Sequence, residues 1–127
     1  MSNIQLEDKL KELKIEDFIW LVYIGIIFLS WYSNSLERKY FVFNDQISKE
    51  KYRKIIILIF SVLVVVYLYF FIDSYNALKN LKPCATDKQI FLTHLSVIGS
   101  FLILISGLIF LYIAIEDKDL NVEIAFN

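Results

Sequence analysis

The side chains that most often carry chemistry in proteins are few in this chain, and they stand far apart. His94 is the only histidine and Cys84 the only cysteine among 127 residues. A haem or metal site needs a second ligand, which a lone imidazole lacks unless symmetric copies of the chain supply it. We therefore expect His94 to bond to a neighbouring loop. Cys84 is expected to be an inert thiol, and the alternative is a cross-link between two copies.

Constellations that perform catalysis are missing from the sequence. It contains no Ser-His-Asp set, no cluster of metal-ligand residues and no glycine-rich phosphate loop. The net charge of −1 indicates no partner class. The sequence therefore predicts a protein that is not an enzyme, holds no cofactor and binds no nucleic acid.

The elements that position these residues are unusually apolar. Three long stretches contain no charged residue, and each approaches or exceeds the ~20 residues that cross a ~30 Å hydrocarbon core. A helix of a soluble bundle would show a polar face instead. The sequence predicts an all-α membrane protein, with one membrane domain over residues 1–127. It has three transmembrane helices, at about 18–36, 54–73 and 89–115.

The charge-free interior of the three stretches also bears on function. Ionisable groups inside a bilayer mark ion paths and proton relays, so their absence argues against a transporter or a pump. The third span carries hydroxyl and small side chains instead, which let helices approach closely in lipid. This stripe either mediates self-association, faces a pore, or packs against another span of the same chain. Its residues are Thr93, Ser96, Ser100 and Gly107.

The segment before the first span has a helical pattern of its own. In residues 2–17, Leu6, Leu10 and Leu13 recur at helical spacing among mostly charged residues. This predicts a short amphipathic helix that lies on the membrane surface. The alternative is a solvated extension of the first span.

Turn and capping signals mark the two connections between the predicted spans. Residues 44–45, Asn-Asp, indicate a turn, after which Ser48 is expected to cap the second helix. Pro83 is expected to end that helix before the second connection closes. Thr86 and Gln89 then have the T-x-x-Q spacing of a capping box at the start of the third helix.

Basic residues cluster in the first connection, residues 37–54, directly beside two spans. Loops of this kind tend to lie on the cytoplasmic side. We therefore expect the N-terminus outside and the C-terminus in the cytoplasm, in a plasma (inner) membrane. The six basic residues are Arg38, Lys39, Lys49, Lys51, Arg53 and Lys54.

The end of the chain has the alternation of a strand. Leu120, Val122, Ile124 and Phe126 occupy every second position. Three spans place this tail beside the first connection, where residues 40–43 are rich in β-prone side chains. We predict strand pairing between the two segments, within one chain or with a neighbouring copy. The alternatives are an edge strand offered to a partner and a solvated tail.

These features predict a small, non-catalytic integral membrane protein that acts by association, as a homo-oligomer or an accessory subunit. The alternative is an oligomeric pore. In size, in its three spans and in its expected orientation, the chain resembles the phage holins, and that resemblance implies pore formation. A pore would be lined by the hydroxyl face of the third span, Thr93, Ser96 and Ser100.

Overall fold

The computed structural model describes residues 3–124, which form three long helices joined by short connections. Helix α1 spans Asn3–Phe43, α2 spans Gln46–Lys79 and α3 spans Asp87–Glu116. The all-α prediction is confirmed, and residues 3–124 contain no strand. Of these helices, α2 and α3 are long and apolar enough to cross a membrane.

Helix α2 is the central element, because α1 and α3 both pack on it. No Cα atom of α1 comes within 8 Å of a Cα atom of α3. The two outer helices therefore flank an open groove whose floor is α2, here called the α1–α3 cleft. The buried face of α2 repeats every three or four residues and includes Tyr52, Ile56, Ile59, Phe60, Leu63 and Val66.

The first connection is much shorter than the sequence indicated. Only Asn44 and Asp45 separate α1 from α2. Asn44 has a φ of 54°, a left-handed conformation that asparagine tolerates in turns. Asp45, and not Ser48, caps α2: its carboxylate accepts hydrogen bonds from the Ile47 amide at 3.2 Å and the Ser48 hydroxyl at 2.8 Å. The turn is confirmed, and the capping residue is corrected.

The second connection follows the prediction more closely. Helix α2 ends at Lys79 with Asn80 as its C-cap, shortly before Pro83. The capping box of α3 is confirmed, since the Thr86 hydroxyl accepts from the Gln89 amide at 3.1 Å. The Gln89 side chain accepts in return from the Thr86 amide at 3.0 Å.

A separate N-terminal helix is not observed. Residues 3–17 continue without a break into the first predicted span and form the beginning of α1. The physical reason is that no glycine or proline interrupts this segment before Gly25, and extending an existing helix is favourable once it is nucleated. Leu6, Leu10 and Leu13 are exposed on this extension.

The predicted strand pairing is wrong for the segment at residues 40–43, which form the last turn of α1. Strand propensity depends on context, and helix propagation outweighs it here. The tail is not extended either, because Leu120 has a φ of 56°. The Asp117 carboxylate accepts hydrogen bonds from the amides of Asn121 and Val122. Phe126 lies outside the described residues.

Candidate functional site

The tail after α3 folds back onto the end of the helices. Ile124 is buried in the core and Leu120 packs against that core, whereas Val122 is exposed. The Lys49 ammonium donates to the Asp119 carboxylate at 3.0 Å, which ties the tail to the first turn of α2. This hydrogen bond raises the pKa of Lys49. The tail and the first turn of α2 thus meet through side chains and not through paired strands.

Behind the folded tail lies a cavity of about 240 Å³, here called the tail cavity. All three helices and the tail contribute to its wall. Its lining includes Glu37 and Phe41 of α1, Tyr52, Arg53 and Ile56 of α2, Ile113 and Ala114 of α3, Asp117, and residues 120–124. Ionisable side chains from separate elements line this partly open volume.

Arg53 is the cationic member of the tail cavity. Its Nη2 donates to the Ile115 carbonyl at 3.1 Å, which satisfies one of the free carbonyls at the end of α3. Its Nε is buried and donates to no acceptor among residues 3–124. A buried donor without an acceptor costs about 1–3 kcal/mol, so this atom favours a bound group that can accept a hydrogen bond.

Three carboxylates line the same cavity. Asp117 already accepts from two backbone amides of the tail, at 3.0 Å and 2.7 Å. Glu37 and Glu123 stand in the wall beside it. The cavity therefore contains one guanidinium donor and three carboxylate acceptors. Such a lining suits a ligand that carries a negative and a positive charge on different atoms.

The hydroxyl stripe of α3 meets α2 of the same chain. The Ser100 hydroxyl donates to the Ser74 hydroxyl at 2.9 Å, and the Ser96 hydroxyl lies 3.5 Å from Ser74. A Cβ built on Gly107 would lie 3.0 Å from Cδ2 of Tyr67. Within one chain, these contacts favour the packing interpretation of the stripe.

Thr93 stands apart from these contacts, because its hydroxyl donates to the Gln89 carbonyl of its own helix at 2.7 Å. Next to Ser96 and Ser100, the α1–α3 cleft widens to a second cavity of about 280 Å³. Tyr23 and Tyr67 line that cavity opposite the serines. Hydroxyl groups therefore line the middle of the cleft, and ionisable groups line its end.

The isolated residues His94 and Cys84 take no part in either cavity. The Nδ1 atom of His94 lies 2.8 Å from the Ile90 carbonyl of its own helix, so the predicted bond to a neighbouring loop is wrong. Cys84 is exposed on the second connection. Across residues 3–124, no group of three or more histidine, cysteine, aspartate or glutamate side chains is placed to hold a metal ion.

The prediction of a charged loop is wrong, because its six basic residues lie in α1 and α2, on either side of the two-residue connection. They separate into two groups. Lys49 and Arg53 contact the tail and α3, whereas the other four, Arg38, Lys39, Lys51 and Lys54, are exposed. Sequence reasoning missed the acidic members of the tail cavity. One signal was available, because Glu37 and Arg53 directly flank two predicted spans and Asp117 lies two residues beyond the third.

No family model, no curated protein and no solved structure matches this chain.

Proposed function

We propose that this chain is a three-span integral membrane protein that acts without catalysis, by association with other transmembrane helices, as a homo-oligomer or an accessory subunit. The observation that carries the proposal is the exposure of its most apolar helices. Only 28% of the most apolar stretch of α2 and 17% of that of α3 is buried. The apolar core helix of a water-soluble protein would be mostly buried, so these faces require lipid or another helix.

The apolar part of α1, residues 18–36, is the proposed third span. It lies alongside α2, where Phe18, Ile19 and Val22 share a groove with Val65 and Tyr69. Its outer face is exposed and apolar. Trp20 and Trp31, 65% and 73% exposed, stand near its two ends, the positions that tryptophan favours at membrane interfaces.

Two glycines support an association face. A Cβ built on Gly25 or on Gly99 would meet no atom within 4 Å. Close approach at small residues is a main source of helix association in lipid. Gly107 already serves this purpose inside the chain, which leaves Gly25 on α1 and Gly99 on α3 open to a partner helix.

Native mass spectrometry of the protein extracted directly from membranes with its surrounding lipid tests the proposal. The expected particle exceeds the 15.0 kDa of one chain, as a multiple of it or as a complex with a second protein. Gly99→Leu fills an open position and should release single chains. Ile98→Leu changes shape on the same helix at constant volume and serves as the control. Single wild-type chains at every concentration would contradict association.

The pore alternative receives less support, because the Ser96 and Ser100 hydroxyls meet Ser74 of the same chain. Ion flux through vesicles containing the purified chain separates the two functions. If the chain is a passive subunit, no ions cross the membrane of these vesicles. Flux that Ser100→Leu abolishes would contradict the passive subunit and establish the pore.

A further inference from the structure

The tail cavity lies at the level where the predicted spans end. Glu37 and Arg53 stand directly beside the predicted spans at 18–36 and 54–73, and Asp117 lies two residues beyond the span at 89–115. All three line the same cavity. In a three-span protein this level is that of the lipid headgroups, because charged side chains follow directly where the apolar segments end.

The unsatisfied groups of the cavity define what would bind there. Nε of Arg53 is a buried donor without an acceptor among the described residues, and guanidinium groups bind phosphate well. Glu37 and Glu123 are carboxylates in the same wall, and they can accept hydrogen bonds from a cation with N–H groups. The complementary ligand therefore carries an anionic phosphate and, a short distance away, a protonated primary amine.

We propose that the tail cavity binds the headgroup of a zwitterionic lipid of the phosphatidylethanolamine type. The phosphate accepts from Arg53, and the ammonium donates to Glu37 and Glu123. This assignment rests on the membrane placement proposed above, and it is independent of whether the chain associates with a partner.

The dimensions and the lining of the cavity agree with this ligand. A cavity of about 240 Å³ exceeds many times the ~10–15 Å³ that one water molecule needs on the same measure, so it has room for a small polar headgroup. Ile56 and Ile113 form the wall on the side of the spans, where acyl chains would begin.

Two other common headgroups fit less well. A choline group has no N–H to donate to Glu37. A glycerol headgroup brings its phosphate toward carboxylates without a compensating cation.

Lipid titration of the full-length protein, followed by native mass spectrometry, tests the site. The probes are phosphatidylethanolamine, phosphatidylcholine and phosphatidylglycerol with identical acyl chains. The wild type is expected to retain one phosphatidylethanolamine about tenfold more tightly than phosphatidylcholine, the effect of one charge-assisted hydrogen bond. Equal retention of these two lipids would overturn the proposal.

Two variants locate the binding to the tail cavity. Arg53→Met should weaken retention of all three lipids, because each carries the phosphate that Arg53 binds. Lys54→Met removes the same charge from the adjacent, exposed position and should leave retention of all three lipids unchanged. Equal behaviour of these two variants would overturn the assignment to Arg53.

Glu37→Gln tests the ammonium end without removing the bond from Arg53 to α3. It should weaken retention of phosphatidylethanolamine and leave that of phosphatidylglycerol unchanged or stronger. Equal weakening of both lipids would contradict the assigned orientation. The same spectra report the oligomeric state, so oligomers without retained lipid contradict only this site, and lipid-bound single chains contradict only association.

Discussion

At the scale of single residues, the three glycines of this chain have different surroundings. Gly107 lies against α2, where a Cβ would be 3.0 Å from Cδ2 and 3.2 Å from Cε2 of the Tyr67 ring. Gly99, on the same helix, faces open space. The small-residue pattern in the sequence did not distinguish these positions, because spacing along one helix does not reveal which side faces a neighbour.

Gly107→Ala is therefore expected to lower the free energy of unfolding by about 1–3 kcal/mol, because the Tyr67 ring must shift to admit the methyl group. Ser106→Ala, at the adjacent exposed position, is the control, and it should change the free energy of unfolding by no more than ~0.5 kcal/mol. Thermal unfolding in detergent, followed by circular dichroism, measures both. Equal stability of the two variants would contradict the close approach of α2 and α3 at Gly107.

At the scale of the elements, the α1–α2 connection depends on one carboxylate. The hydrogen bond from the Ser48 hydroxyl, assisted by the backbone amides of Ile47 and Ser48, lowers the pKa of Asp45 from its usual 3.8. A lowered pKa in the folded state means that Asp45 stabilises the fold fully above the unfolded value. That contribution is lost as the pH falls through the folded value.

Acidification below about pH 4 should therefore destabilise the connection. Asp45→Asn keeps a capping side chain that does not titrate, so the variant should lose this part of the pH dependence. Hydrogen exchange of the Ile47 and Ser48 amides across this pH range measures it. An identical pH profile in the wild type and in Asp45→Asn would contradict the role of the carboxylate.

The folded tail makes a second prediction at this scale. Ile124 is 8% exposed and Val122 is 53% exposed. Ile124→Ala should lower the free energy of unfolding by about 2 kcal/mol through the lost burial. Val122→Ala should change it by no more than ~0.5 kcal/mol. Denaturant unfolding in detergent compares the two, and equal effects would contradict the docking of the tail against the core.

The helices and their connections also show which structural features depend only on adjacent residues of the sequence. The capping box at Thr86 and the turn at residues 44–45 were predictable because each depends on a few adjacent residues. The helical state of residues 40–43 was not, since the two-residue connection lets α1 run on and overrides their strand propensity.

The tail cavity was beyond sequence reasoning for a different reason. It requires the relative rotation of three helices and the fold of the tail, which bring Glu37, Arg53 and Asp117 around one volume. Position alone showed that these residues lie near the ends of the apolar segments. It did not show that they share a wall.

At the scale of the whole molecule, the proposed function requires that the chain cross the membrane three times. The antiparallel order of the helices places the beginning of α1 at the same end as the α2–α3 connection. The α1–α2 connection lies at the opposite end. The native thiol of Cys84 is exposed on the α2–α3 connection and provides a ready probe of one side.

The most direct test labels single cysteines in right-side-out membrane vesicles with a membrane-impermeant maleimide. The three proteins are the wild type, with Cys84, and Cys84→Ser combined with either Asn3→Cys or Gln46→Cys, at exposed ends of α1 and α2. Three crossings predict labelling at positions 3 and 84 from the outside, and at position 46 only after the vesicles are opened. Labelling of positions 3 and 46 from the same side of sealed vesicles would contradict the three crossings.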